Sequence, residues 1–200
     1  MRAGLDIKLL ITTFITIAVI VDPVGNAPVF LALTKDVDPV RRRRFANQAV
    51  AAATAVIFIF AFFGHYVLDY LGISIESLMV AGGVLLGMVA LDMMKGRVNA
   101  GEVTGGANAA LVPLGTPLLA GPGAVVAAML LIKEAGSAGD KALVAAGILA
   151  SLLVVWLALT MAGKLVRLLR DTGVDLLTRV MGILLAAIAV EFIHRAIVSW

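Results

Sequence analysis

Asp22 is the residue whose type and position most directly suggest chemistry. It is a carboxylate inside the otherwise apolar stretch of residues 7–33, and Pro23 follows it at once. A carboxylate near the middle of a membrane costs at least about 2.5 kcal/mol on insertion scales, so such residues usually bind a proton, a cation or a solute. Asp22 is also suited to be the N-cap of a helix that begins at Pro23. The two roles are compatible.

Two proline-containing interruptions supply the remaining candidate binding groups. Proline removes a helical hydrogen bond, and inside a membrane the freed backbone groups must be satisfied by protein, water or a ligand. Each interruption therefore predicts a half-helix whose first N–H groups, with their partial positive charge, can bind an anion or a carboxylate. The predicted substrate- or ion-binding residues are Asp22, Pro23, Gly25, Asn26, Pro28, Thr116, Gly121, Pro122 and Gly123.

Specific roles follow from the residue types at the two interruptions. Gly25 and Gly123 lack side chains and would let the backbone approach a ligand closely. Asn26 and Thr116 could form hydrogen bonds to that ligand. The alternative is that these glycines and prolines only kink the helices, because both residues are frequent in membrane helices. Two interruptions in matching places favour the functional interpretation.

Two further acidic residues, Asp92 and Glu191, are candidates for a proton or ion relay. Each is followed at helical spacing by a basic residue, Lys95 or Arg195, so an interfacial ion pair is the favoured alternative. The chain has no cysteine and only two histidines, at positions 65 and 194. These residues form no recognisable catalytic or metal-binding set, and the sequence predicts neither an enzyme nor a cofactor.

The composition predicts an all-α membrane protein. Of its 200 residues, 62% are hydrophobic and 14% are charged, against about 45–50% apolar and about 25% charged residues in soluble domains. A membrane span takes about 20 residues. The pattern predicts one transmembrane domain, residues 1–200, with six spans at about 7–33, 46–64, 75–94, 109–132, 142–163 and 177–198. Helices 1 and 4 are expected to be broken near the midplane.

An internal repeat relates the two halves of the chain at an offset of 99 residues. At this offset Pro23 aligns with Pro122, and two glycines, Gly64 and Gly83, align with Gly163 and Gly182. Two acidic pairs also align, Glu76 with Asp175 and Asp92 with Glu191. Repeat 1 covers about 1–98 and repeat 2 about 99–200. Three spans in each repeat require opposite orientations in the membrane, as in the inverted repeats of secondary transporters.

The basic residues predict the orientation. If both termini lie outside, the inner segments collect most of the 16 basic residues, which the positive-inside rule favours. These inner residues are Lys35, Arg41, Arg42, Arg43, Arg44, Lys95, Arg97, Lys164, Arg167, Arg170 and Arg179. The net charge of +3 is therefore attributed to topology and not to nucleic-acid binding. The expected location is a cell inner membrane, with periplasmic termini.

The two interruptions resemble the signature stretches of the MarC family of membrane proteins. The first stretch is Asp22-Pro23-Val24-Gly25-Asn26-Ala27-Pro28, and the second is Pro113-Leu114-Gly115-Thr116-Pro117-Leu118-Leu119-Ala120-Gly121-Pro122-Gly123-Ala124. The resemblance covers essentially the whole chain, although the family more often has Ala-Ile or Ala-Thr at the position of Gly115-Thr116. It implies an inner-membrane protein of the amino-acid exporter grouping, some of whose members are described as transporters of glycine and alanine.

These observations predict a secondary transporter of a small neutral amino acid or similar zwitterion. The half-helix N-termini would hold the carboxylate of the solute, and H⁺ or Na⁺ is a candidate coupling ion. The alternative is a channel or facilitator for a small polar solute, because opposed helix N-termini can also line a pore. The expected partners are the lipid bilayer and the solute, and a homo-oligomer is compatible with the sequence. The substrate, coupling ion and direction of flux are not encoded in these patterns.

Overall fold

The computed structural model describes residues 7–34, 37–96 and 119–199. All regular structure in these segments is α-helical, as the composition predicts. The helices are α1 (Ile7–Val21), α2 (Pro23–Leu33), α3 (Pro39–Leu71), α4 (Ile75–Met94), α5 (Pro122–Glu134), α6 (Ala138–Thr160) and α7 (Ala162–Ser199).

Local capping residues determine where several of these helices begin. Asp38 caps α3 by accepting hydrogen bonds from the N–H groups of Val40 and Arg41, and Pro39 occupies the first helical position. Ser137 and Asp140 form a reciprocal capping box at the start of α6. These polar groups satisfy N–H groups that the first turn of a helix leaves unpaired.

Five segments of the described residues are long and apolar enough to cross a membrane: Ile7–Leu31, Pro39–Leu71, Ile75–Met94, Ala138–Thr160 and Thr172–Ser199. They correspond to predicted spans 1, 2, 3, 5 and 6. Many large apolar side chains on these helices are exposed, as lipid contact requires. The first ten residues of predicted span 4, 109–118, lie outside the described residues. The part of it that is described includes most of α5, whose 13 residues alone extend about 20 Å.

The stretch between predicted spans 5 and 6 differs from the expectation. The predicted spans leave a connecting segment at 164–176, but α7 is continuous from Ala162 to Ser199. Its 38 residues extend about 57 Å, well beyond the hydrocarbon thickness of about 30 Å. Charge at Lys164 and Arg167 lowers the hydropathy without breaking the helix, because lysine and arginine are good helix formers.

Glycines allow α4 and α7 to pack closely along each other, in the most extensive helix contact of the described residues. A Cβ atom at Gly83 would lie 2.8 Å from the carbonyl oxygen of Ala189, and one at Gly182 would lie 3.1 Å from that of Ala90. Only glycine permits such an approach of two backbones. The two contacts are reciprocal at the offset of 99, because Gly182 corresponds to Gly83 and Ala189 corresponds to Ala90.

The two short helices α2 and α5 lie between the longer ones. Helix α2 contacts α6 and α7, whereas α5 contacts α3 and α4. Helix α1 packs along α6, where the Ser151 hydroxyl donates a 2.8 Å hydrogen bond to the Phe14 carbonyl. The N-termini of α2 and α5 are therefore held among packed helices.

Candidate functional site

The first interruption is present at Asp22, between α1 and α2. Asp22 has a φ of 45° and is the only residue other than glycine with a positive φ among the described residues. Aspartate tolerates the left-handed region better than most residues, because its short polar side chain can bond to the nearby backbone. This conformation ends α1 and redirects the chain, so that Pro23 begins α2.

Asp22 caps the helix that it precedes. Its Oδ1 accepts a 3.0 Å hydrogen bond from the N–H of Gly25, and the Asn26 side-chain amide donates to the Val21 carbonyl at the end of α1. Asp22 and Asn26 are 8% and 9% exposed. Side chains of the first interruption therefore form hydrogen bonds with two backbone groups near the break, the Gly25 N–H and the Val21 carbonyl.

This arrangement changes the roles predicted for two residues. The first interruption is predicted to offer free N–H groups of α2 to a solute, but the Gly25 N–H already donates a hydrogen bond to Asp22. Gly25 is also predicted to admit a ligand, whereas a Cβ atom at Gly25 would collide with the Asp22 carboxylate. Gly25 therefore makes room for the carboxylate.

The second predicted interruption lies at the start of α5, which has no equivalent cap among the described residues; the segment before residue 119 lies outside them. Gly121 is the N-cap residue in an extended conformation, Pro122 is the first helical residue, and no side chain of the described residues caps the helix. The Gly121 carbonyl accepts hydrogen bonds from the N–H groups of Ala124 and Val125. The space beside Gly123 is taken by the Leu86 side chain, so this glycine serves close packing of α4 on α5.

Both interruptions line one cavity of about 470 Å³, termed here the central cavity. Asp22, Gly25 and Asn26 contribute from the first interruption, and Gly121, Pro122 and Gly123 from the second. Its remaining wall is formed largely by one face of α4: Leu85, Leu86, Met88, Val89, Asp92 and Met93. The central cavity thus combines two carboxylates with one helix N-terminus that lacks a side-chain cap.

Asp92 joins the predicted binding residues instead of forming the ion pair favoured for it. No basic side chain of the described residues lies within ion-pair distance of Asp92, Lys95 included. Asp92 is exposed and lies on the cavity wall. The sequence signal for this position was its acidic character within an apolar helix.

Glu191 lies in a different place, beside a second cavity of about 430 Å³ between α1, α5 and α7. Its Oε1 accepts a 2.7 Å hydrogen bond from the Nε of Arg195, which confirms the predicted ion pair. Arg195 also contacts Glu134 at 3.2 Å. This space is termed the Arg195 cavity. Glu134 was not among the predicted residues, although its charge at the end of an apolar helix was a visible signal.

The other predicted residues do not line the central cavity. Pro23 is the first residue of α2 and Pro28 lies inside it, but neither is on the cavity wall. Thr116 lies outside the described residues. In the described segments, no group of three or more His, Cys, Asp or Glu side chains could hold a metal ion.

The chemistry available in the central cavity is of two kinds. The carboxylates of Asp22 and Asp92 favour a proton, a metal cation or an ammonium group. The N-terminus of α5 favours an anion, because its first N–H groups carry partial positive charge. One small solute bearing both charges would find complementary groups here.

Comparison with known proteins places this membrane protein in a family. The chain matches the family described as "MarC family integral membrane protein" over residues 7–200. It belongs to the MarC family. The UPF0056 membrane protein MJ1677 of Methanocaldococcus jannaschii is 38% identical to this chain, in an alignment that covers 96% of this chain and 98% of that protein.

Two Escherichia coli proteins are also similar to this MarC-family chain. The UPF0056 membrane protein YhcE is 33% identical over 92% of this chain and 89% of its own length. The UPF0056 inner membrane protein YhgN is 29% identical over 96% of this chain and 97% of its own length. No solved structure matches the chain. The family match and the apolar helices together identify an integral, multi-pass membrane protein, and they confirm the resemblance noted in its sequence.

Proposed function

We propose that this protein is a secondary transporter of a small neutral amino acid or a similar zwitterion, and not an enzyme. The observation that carries the proposal is that two helix interruptions, far apart in sequence, line one cavity with opposite chemistry. Asp22 presents a carboxylate there, and α5 presents an N-terminus without a side-chain cap. Binding residues in transporters commonly come from such interrupted helices.

The two interruptions suggest how the solute is oriented. Its carboxylate binds at Gly121–Gly123, where N–H groups are available, and its ammonium group lies toward Asp22 and Asp92. This arrangement assigns the anionic group to α5 alone, because the α2 amide at Gly25 is already bonded to Asp22. A cavity of about 470 Å³ lies in the usual range for small-molecule sites and suits a small solute with water.

The packing of the helices supports a repeat-based transport cycle. An offset of 99 residues relates α2 to α5, α3 to α6 and α4 to α7, and under it the contacts of α2 with α6 and α7 correspond to those of α5 with α3 and α4. The reciprocal contacts of Gly83 and Gly182 follow the same relation. Rocking of one repeat against the other would give alternating access.

The coupling ion and the membrane location are part of the same proposal. Asp22 and Asp92 are the groups through which H⁺ or Na⁺ would be coupled to the solute. The basic segments favour a topology with both termini outside. The name of the similar protein YhgN supports an inner-membrane location.

Counterflow in proteoliposomes tests this function. Radiolabelled alanine should enter faster when the vesicles contain unlabelled alanine, as a carrier requires and an open channel does not. Asp22→Asn should lower uptake at least about tenfold, because it removes a charge-assisted interaction with the ammonium group. Asp69→Asn is the matched control, since Asp69 is an acidic residue of α3 that does not line the central cavity. Equal uptake by both variants would contradict the proposed site, and uptake without trans-stimulation would favour a channel.

A further inference from the structure

The Arg195 cavity has the same kind of helical wall as the central cavity. Ala187, Ile188, Glu191 and Phe192 of α7 line it. Each lies 99 positions after a residue of the central cavity wall, namely Met88, Val89, Asp92 and Met93. The acidic residue occupies the same place in both walls. Two repeat-related surfaces therefore each border a cavity, one beside the interruptions and one beside Arg195.

The polar groups of the Arg195 cavity come from three helices. Thr12 and Thr16 contribute hydroxyl groups from α1, Glu134 comes from α5, and Glu191 and Arg195 come from α7. The three charged side chains are each about half exposed. Ion pairs this exposed contribute little to stability, so a ligand can replace one of them readily.

The two ion pairs of Arg195 differ in strength. The bond from Nε to Glu191 is 2.7 Å long and joins neighbouring turns of α7, whereas the bond from Nη1 to Glu134 is 3.2 Å long and joins α7 to α5. An incoming carboxylate would therefore replace Glu134 first. An arginine fork can accept it while Glu191 keeps the guanidinium in position.

Glu134 is placed to transmit such an exchange. It is the last residue of α5, and Pro122 and Gly123 at the start of the same helix line the central cavity. A helix of 13 residues extends about 20 Å as a stiff unit. Release of Glu134 would therefore free one end of a helix whose other end contacts the solute in the central cavity.

We infer that the Arg195 cavity is a second solute-binding site, in which Arg195 exchanges its ion pair with Glu134 for one with the carboxylate of a small solute and so releases α5 from α7. The inference rests on the proposed transport function for its physiological role. Its chemistry requires only a carboxylate ligand and the contacts described. The hydroxyl groups of Thr12 and Thr16 provide hydrogen-bonding partners for the rest of the solute.

A single introduced cysteine gives the test, because the chain contains none. Ala127→Cys places a thiol on the wall of the Arg195 cavity, at a buried residue of α5 that should become accessible when α5 is released from α7. Its rate of modification by a methanethiosulfonate reagent is measured on the full chain in lipid nanodiscs, with glycine or glycinamide as the probe. The two compounds have similar size, but only glycine carries a carboxylate. Glycine should raise the modification rate by about fivefold, at the lower end of usual coupling between sites, and glycinamide should not.

Variants of the ion pairs identify the groups responsible. Glu134→Gln should give fast modification without any ligand, whereas Glu134→Asp, which keeps the charge, should stay slower and respond to glycine. In Arg195→Gln the cysteine should be modified fast, and glycine should not change that rate. Size-exclusion chromatography establishes that each variant is folded.

Two outcomes would overturn the inference: equal effects of glycine and glycinamide, or an unchanged modification rate in Glu134→Gln. The measurement does not depend on transport. Loss of alanine counterflow with an intact glycine response would remove the proposed function and leave this binding site standing. Intact counterflow without a glycine response would remove this binding site and leave the proposed transport function standing.

Discussion

The two helix interruptions use the same backbone device with different chemistry. Both place a proline at the first position of a half-helix, and both line the central cavity. At the first, the preceding residue is Asp22, which caps the helix with its own carboxylate. At the second it is Gly121, which has no side chain with which to cap α5. The residue type at this position, aspartate in one case and glycine in the other, therefore decides whether the preceding side chain caps the helix N-terminus.

This difference suggests how two segments related by the offset of 99 could bind an asymmetric ligand. Two identical interruptions would present two identical groups to the cavity and would suit a doubly charged anion or cation. Among the described residues, the N-terminus of α2 is occupied by a carboxylate and that of α5 has no side-chain cap, which would give the cavity a negative and a positive end. Under the proposed function, this asymmetry is what would let the central cavity bind a zwitterion, although the helices around it are related by the same offset in sequence.

Gly121→Asp should have the largest effect, because it gives the second interruption the residue of the first. The new carboxylate would cap α5 and repel the carboxylate of the solute. We expect the affinity for alanine to fall about 10- to 100-fold, since a hydrogen bond to a charged group contributes about 1.5–3 kcal/mol. Binding is measured by equilibrium dialysis of radiolabelled alanine with the purified protein.

Gly121→Ala is the matched control for this substitution. Gly121 has φ −61° and ψ 164°, an extended conformation that alanine adopts without strain, and alanine adds no hydrogen-bond acceptor. It should retain alanine binding. Equal loss in both variants would mean that the space at Gly121 matters and the free N-terminus does not.

Asp22→Ala should lower stability by an intermediate amount, because Asp22 has a structural role as well as a charge. Alanine removes the bond to the Gly25 N–H and must adopt a φ of 45°. Loss of an N-cap costs about 1 kcal/mol and the left-handed conformation about 1–2 kcal/mol, so the free energy of unfolding should fall by about 2 kcal/mol.

Asp22→Asn separates the two roles of this residue. Asparagine accepts the same hydrogen bond and tolerates the same φ, so it should unfold near the wild-type temperature in detergent while failing to support alanine uptake. A loss of stability as large as that of the alanine variant would show that the negative charge itself holds the first interruption together.

Much of the local structure could be predicted from the sequence because its causes are local. The starts of α2, α3 and α5 follow from prolines preceded by Asp22, Asp38 and Gly121, whose backbone preferences act within one turn. The apolar helices follow from composition, since a segment of about 20 apolar residues has few other places to lie. The predicted ion pair of Glu191 with Arg195 is likewise a matter of spacing along one helix.

The parts that could not be predicted depend on which side chains meet across helices. Leu86 fills the space beside Gly123, and Asp92 faces the same cavity as Asp22, through packing of α4 that no local pattern specifies. Glu134 reaches Arg195 from 61 positions away in the sequence. The continuity of α7 could not be predicted for another reason: Lys164 and Arg167 lower the hydropathy between predicted spans 5 and 6, but both residues are compatible with a helix.

Substitutions of Gly64 and Gly163 by alanine should have the smallest effect on stability. They compare equivalent positions of the two predicted repeats away from the central cavity. The two glycines are related by the offset of 99, yet a Cβ atom at Gly64 would lie 2.7 Å from the end of the Met129 side chain, whereas one at Gly163 would have no atom within 4 Å. Gly163→Ala should raise the free energy of unfolding by about 0.5 kcal/mol, because alanine restricts the unfolded chain and meets nothing in the folded one. Gly64→Ala should change it little, since the same gain is offset by displacement of Met129. Thermal unfolding of the two variants in one detergent measures the difference, and an equal gain in both would mean that the α3–α5 contact is looser than the structure shows.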